Sequence, residues 1–266
     1  SGAVFDPATG LRLDVWRPAG GGGARPVNVF FYGGGWAHGE RAHYGFAARA
    51  LAGRGFVVVI PDYRKVPAVR FPAFVEDGAR ALVWVERNVA RYGGDPARLA
   101  VAGHSAGAHI AAMLTLDPVY LAQAGASDRL IRGAVGLSGP YDFLPFDSAR
   151  SIAAMRAWPR PRETQPVTYV RRDAPPMLLV TGTEDDTVKP RNAIILSQRL
   201  TAVGAIVGFR AYPGLDHEDV VMALSRPFRT KAPVLDDLVA FLETHLKARG
   251  EGDADTGRRI SGSPDG

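Results

Sequence analysis

Short apolar runs and amphipathic stretches take turns along this chain. Residues 10–18, GLRLDVWRP, set Leu11, Leu13 and Val15 at alternate positions, the period of a half-buried strand. The glycine-rich stretch 18–26 predicts a flexible turn. Residues 27–36, VNVFFYGGGW, read as a buried strand that runs into glycines. Residues 44–55 predict a helix stopped at Gly53 or Gly55. Residues 56–64, FVVVIPDYR, are a continuous β-branched run, so a strand covered on both faces. Residues 71–96 bring Phe74, Ala81, Val85 and Val89 near helical spacing and predict an amphipathic helix that ends at Gly93 and Gly94. A strand over 98–105 meets a helix over 106–116. Further strands are predicted over 131–139, 176–182 and 206–214, with helices over 191–204 and 233–250.

Strands that alternate with helices imply an α/β fold, a mostly parallel central sheet with helices on both faces. The opening strands break the rule and are expected to pair as a meander. No internal repeat is present, and one domain is expected over residues 1–248. The polar, glycine-rich tail over 249–266 predicts disorder. Residues 140–176 are rich in proline and arginine and hold Tyr141, Phe143, Phe146, Trp158 and Tyr169. They predict a long irregular segment, a candidate for a small cap.

Composition narrows the chemistry. The chain has 266 residues, 46% of them hydrophobic, which suits one large globular domain. It has no cysteine, which excludes disulfides, thiolate metal sites and a thiol nucleophile. The net charge is +5, mostly from scattered arginine, with one cluster at Arg156, Arg160, Arg162, Arg171 and Arg172. No reading element accompanies that cluster, so it is expected to be solvated surface, with no nucleic-acid partner. A weak pull on acidic substrates is the most it would add. No apolar stretch approaches the ~20 residues of a membrane span. The opening SGAVFDPATG has no signal-peptide pattern and no methionine. A cytoplasmic location is expected, with secretion after removal of a leader left open, as is a homodimer.

The sharpest local feature is GHSAG at 103–107, between a predicted strand and a predicted helix. A serine hydroxyl is a poor nucleophile at neutral pH and needs a nearby base and donors for the oxyanion it creates. G-x-S-x-G at a strand-to-helix turn supplies a strained corner with the hydroxyl of Ser105 exposed. Gly103 and Gly107 let strand and helix approach closely. The helix start aims free N–H groups at the site, and Ala106 N–H would be one oxyanion donor. The second feature is YGGGW at 32–36, where three glycines at a strand end leave backbone N–H groups bare.

At these two motifs the chain resembles the α/β-hydrolase fold. More narrowly, it is similar to the carboxylesterases that carry H-G-G-G-W and G-x-S-A-G, near the hormone-sensitive-lipase-like esterases, feruloyl-type esterases and kynurenine formamidases. The resemblance covers residues 4–246 and departs at Tyr32, where the group usually has a histidine that braces the oxyanion loop. It implies that Gly34 and Gly35 donate to the oxyanion beside Ala106. The fold's chain order is serine, acid, histidine. The group's G-x-x-D-x-x-V pattern matches Gly182, Asp185 and Val188, which points to Asp185, with Asp186 as the alternative. Of six histidines, only His217 follows the acid and sits after a strand. His38 and His43 precede the serine, His104 is too close to it in sequence, His109 is expected to be buried, and His245 to face solvent.

The implied activity is a serine carboxylesterase for small to medium esters, acting through an acyl-enzyme without metal or cofactor. Trp36, Tyr141 and Phe143 are the candidate substrate contacts, with Phe146 and Trp158 as further aromatic lining. The residues 137–142 would shape the acyl or alcohol side. An arylformamidase built from the same parts is the alternative, and a non-catalytic binding protein of this fold is the reading from another class.

Overall fold

The computed structural model describes residues 2–20, 23–127 and 129–247. The tail expected over 249–266 lies outside the described residues. Eight strands form one sheet in the order β1-β2-β4-β3-β5-β6-β7-β8. They are β1 (Ala3–Asp6), β2 (Leu11–Trp16), β3 (Arg25–Phe31), β4 (Val57–Pro61), β5 (Gly94–His104), β6 (Ile131–Leu137), β7 (Met177–Gly182) and β8 (Val207–Tyr212). Strands β3 to β8 run parallel, and β1 and β2 are antiparallel to their neighbours. The expected meander is half right. β2 pairs with β1, but its other neighbour is β4, with Leu13 opposite Pro61, and not the next strand in sequence. β4 is thereby paired on both edges, by β3 on one side and β2 on the other.

The helices are α1 (Gly45–Ala52), α2 (Ala73–Asn88), α3 (Ala106–Leu116), α4 (Val119–Ala124), α5 (Ala149–Met155), α6 (Arg191–Ala202), α7 (His217–Met222) and α8 (Val234–His245). α1 and α8 pack together against the sheet, and α2 and α3 form a second packed pair. All residues of α3 are buried, so this largely apolar helix is enclosed on every side, with His109 and Thr115 its polar exceptions. Val27, Val29, Leu99 and Val101 are fully buried beneath the helices. Residues 140–176 are less irregular than expected: α5 and the 3₁₀ turns Pro161–Thr164 and Pro166–Tyr169 lie within them. Ser148 starts α5 with a capping box, its Oγ accepting from Ser151 N, a local signal strong enough to form a helix among prolines. Among the described residues no helix is long and apolar enough to cross a membrane.

Candidate active site

β5 and α3 meet at Ser105, whose backbone has φ 54° and ψ −122°. A non-glycine residue in that region is strained, and such strain gathers at functional turns. The corner is held because strand and helix interlock. A Cβ on Gly107 would lie 2.1 Å from Phe31 O, and one on Gly103 would lie 2.4 Å from the Gly107 backbone. Ser105 N also donates to Leu137 O at 2.9 Å, fixing the turn against β6.

His217 Nε2 stands 2.9 Å from Ser105 Oγ, and His217 Nδ1 stands 2.8 Å from Asp185 Oδ2. Asp185 follows β7, as the glycine-then-acid pattern predicts. Its Oδ1 accepts from Thr187 N at 3.0 Å and Val188 N at 2.8 Å. Burial pushes this carboxyl up, but the His217 bond and the Val188 N–H outweigh it, so its pKa falls below the ordinary carboxylate value. An ionised Asp185 requires Nδ1 of His217 to carry the proton, which leaves Nε2 free to accept from the serine hydroxyl. His217 is the first residue of α7 rather than a loop residue, because Asp216 caps that helix by accepting from Asp219 N at 2.8 Å. The alternative acid Asp186 is exposed and pairs with Lys189 at 2.5 Å.

His104 was beyond local reading. Its Nε2 donates to the backbone oxygen of His217 at 3.0 Å, and its Nδ1 accepts from Tyr44 Oη at 2.8 Å. Burial, with the neighbouring His217, lowers its pKa to about 3, so the ring stays neutral. The elbow thereby grips the backbone of the residue that contacts its serine. His109 is buried as expected. His245 is half-buried against Phe241, rings 4.5 Å apart, rather than free in solvent.

A cavity of about 510 Å³ opens beside Ser105 and is lined by Gly35, Ala106, Trp36, Phe143 and Pro140, among others. Gly34 is not in its wall. Gly34 and Gly35 have φ of 128° and 59°, backbone that a side chain rarely adopts. Trp36 stacks on Phe143 with centroids 5.9 Å apart. Tyr141 departs from expectation. Its ring is fully buried, turned inward over Gly136 and Gly139, whose missing Cβ atoms make room for it. Its backbone N–H donates to Asn192 Oδ1 at 2.9 Å, which fixes the chain against a residue of the cavity wall while the Tyr141 ring stays out of the cavity. Phe146 packs on Phe143 and Trp158 on Phe71, and neither lines the cavity. The predicted arginine cluster also lies away from it.

Tyr32 sits in its own set of contacts. Its ring stacks on Tyr63 at 4.6 Å, and its hydroxyl accepts from Lys65 Nζ at 2.9 Å and donates to Asp62 at 3.3 Å. Tyr63 Oη donates to Tyr32 O at 2.9 Å, and Val66 N donates to Trp36 O at 2.9 Å. The strap 62–66 therefore holds the glycine loop at both ends. Burial lowers the pKa of Lys65, against the pull of Asp62 and Glu40.

A mostly parallel sheet wrapped by helices, with a serine on the strand-to-helix corner, defines an α/β hydrolase. The apo form of Thermogutta terrifontis esterase 2 shares this fold, with a TM-score of 0.79 at 24% identity over 94% of this chain and 96% of that one. The BD-FAE family profile matches residues 13–200, and the chain belongs to that family. Esterase LipC of Mycobacterium tuberculosis is 35% identical over 238 residues, 80% of this chain and 57% of its own length. Isoprenylcysteine alpha-carbonyl methylesterase ICME of Arabidopsis thaliana is 30% identical over 253 residues, 87% of this chain and 59% of its own length. The chain thus spans 57% and 59% of the length of these two relatives. The formamidase alternative gains no support from them.

Proposed function

We propose that this chain is a serine carboxylesterase acting on small to medium esters. The observation that carries the reading is the unbroken hydrogen-bond chain from Ser105 Oγ through His217 to Asp185, with spacings of 2.9 and 2.8 Å. His217 Nε2 takes the hydroxyl proton as Ser105 Oγ attacks the ester carbonyl. Asp185 holds the imidazole tautomer and stabilises the imidazolium. The tetrahedral oxyanion is received by the backbone N–H groups of Gly35 and Ala106 in the cavity wall, with Gly34 outside that wall as the further donor that the resemblance implies, each donor worth ~3 kcal/mol to the transition state. His217 then protonates the departing alkoxide. Water attacks the acyl-enzyme by the same route and releases the acid. Trp36 and Phe143 give the substrate an apolar wall.

The test is turnover of 4-nitrophenyl acetate and butyrate by the chain and by Ser105→Ala. The variant is expected to lose about 10³-fold or more in kcat with its circular dichroism unchanged. Equal rates in the two proteins would remove Ser105 as nucleophile. Feruloyl and N-formyl aromatic substrates in the same panel divide an esterase from a formamidase.

A further inference from the structure

The cavity beside Ser105 has an apolar wall but a charged rim. Arg150 of α5, with Lys189 and Arg191 from the β7–α6 connection, lines it, together with the carboxylates of Asp147 and Asp186. These charges are not equivalent. Lys189 and Asp186 neutralise each other at 2.5 Å. Arg150 and Arg191 have no hydrogen-bond or ion-pair partner among the described residues. That leaves two guanidinium groups against Asp147 alone.

Arg150 is also placed by the glycine loop itself. A Cβ at Gly35 would come within 2.5 Å of Arg150 Cδ and 3.3 Å of its Nε. The arginine stem lies where any other residue at 35 would put its side chain. The guanidinium is thus seated on the loop expected to hold the oxyanion, at the mouth of the pocket that opens on Ser105. An arginine fork is suited to a carboxylate, which it meets with two parallel hydrogen bonds.

We infer that this pocket selects esters that carry a second, anionic group, and that Arg150 and Arg191 recognise that group. The inference rests on the esterase reading above. The favoured substrate is a half-ester of a dicarboxylic acid, or an ester with an equivalent anion, its scissile carbonyl at Ser105 and its free carboxylate at the rim. The arginines do not take part in bond breaking; they lower KM for anionic esters and leave the serine chemistry as described.

The test compares two esters of equal acyl length, mono-4-nitrophenyl glutarate and 4-nitrophenyl valerate. Spontaneous hydrolysis is subtracted with Ser105→Ala. The quantity read is the ratio of their kcat/KM values, in which any general loss of fold cancels. Arg150→Gln and Arg191→Gln are each expected to lower the ratio by about three- to tenfold, the range for one partly exposed ion pair. Asp147→Asn is expected to raise it, and about 0.5 M salt to compress it. A ratio unchanged in both arginine variants would overturn the anionic subsite while leaving the esterase intact. No Ser105-dependent turnover of either ester would overturn the esterase reading, and this inference with it.

Discussion

Two imidazoles in this protein are enclosed on all sides and serve as neutral groups. His104 links Tyr44 to the His217 backbone, and His109 donates from Nε2 to Thr164 O at 2.8 Å inside a ring of Trp36, Phe71, Phe74 and Phe143. Burial lowers their pKa values from 6.5 to about 3 and about 4. As pH falls through 6.5 the unfolded chain takes up these protons and the folded chain does not, so folding weakens below that point. Stability from these two groups is complete above about pH 6.5 and is lost down to the folded values. At pH 5 the loss is about 2 kcal/mol for each ring. Urea unfolding at pH 7.5 and pH 5 measures it, and His109→Leu is expected to remove its share of the difference. Asp185 works in the same sense but at lower pH, since its lowered pKa supports folding above the ordinary carboxylate value and that support is lost as pH falls below it. In the proposed mechanism its removal costs more: Asp185→Asn is expected to cut kcat by about 10⁴-fold through loss of the required tautomer.

Between elements, the glycine loop depends on the strap after β4. Lys65 contacts Tyr32 Oη and the Tyr63 carbonyl, and its ammonium lies 5.2 Å from both tyrosine ring centroids. This arrangement answers the replacement of the usual histidine, since a longer phenol reaches a partner outside the loop. Lys65→Met is expected to lower kcat by about tenfold with KM nearly unchanged, because a looser loop weakens transition-state hydrogen bonds more than ground-state ones. Stopped-flow or steady-state kinetics beside a thermal melt separates this from unfolding. The partnership was illegible in sequence: Tyr32 and Lys65 are 33 positions apart, and nothing local marks them as neighbours. Stretches with a strong local signal were legible, such as the continuous β-branched run in β4 and the GHSAG corner. Short pieces were not. β1 has four residues, and α4 and α7 have six each, too few to show a period. The order of β2 beside β4 rests on non-local pairing. Asp185 and His217 could be found because each follows a strand, whereas the inward turn of Tyr141 depends on the space left by Gly136 of β6 and by Gly139 just after it, which no pattern marks as a ring pocket.

Across the whole molecule, one charged network ties the sheet edge to the loops around the site. Fully buried Asp77 of α2 binds Arg64 through Nη2 at 2.8 Å and also contacts Arg80, whose Nε reaches Asp6 of β1 at 2.9 Å. Arg64 belongs to the same strap as Lys65. Because both arginines keep partial access to solvent, removing the shared carboxylate leaves charges that water can partly recover. Asp77→Asn is expected to cost about 2 kcal/mol and lower the melting temperature by about 4–8 °C, measured by calorimetry.

The bond from His104 to the His217 carbonyl spans 113 positions and joins the end of β5 to the start of α7, the two elements that hold the proposed nucleophile and its base. The attacking oxygen and its proton acceptor consequently ride on one rigid unit. Warming that agitates the outer surface is expected to leave their spacing unchanged. Heat inactivation and global melting should then share a midpoint, and in His104→Phe enzymatic work should fail several degrees before the fold does.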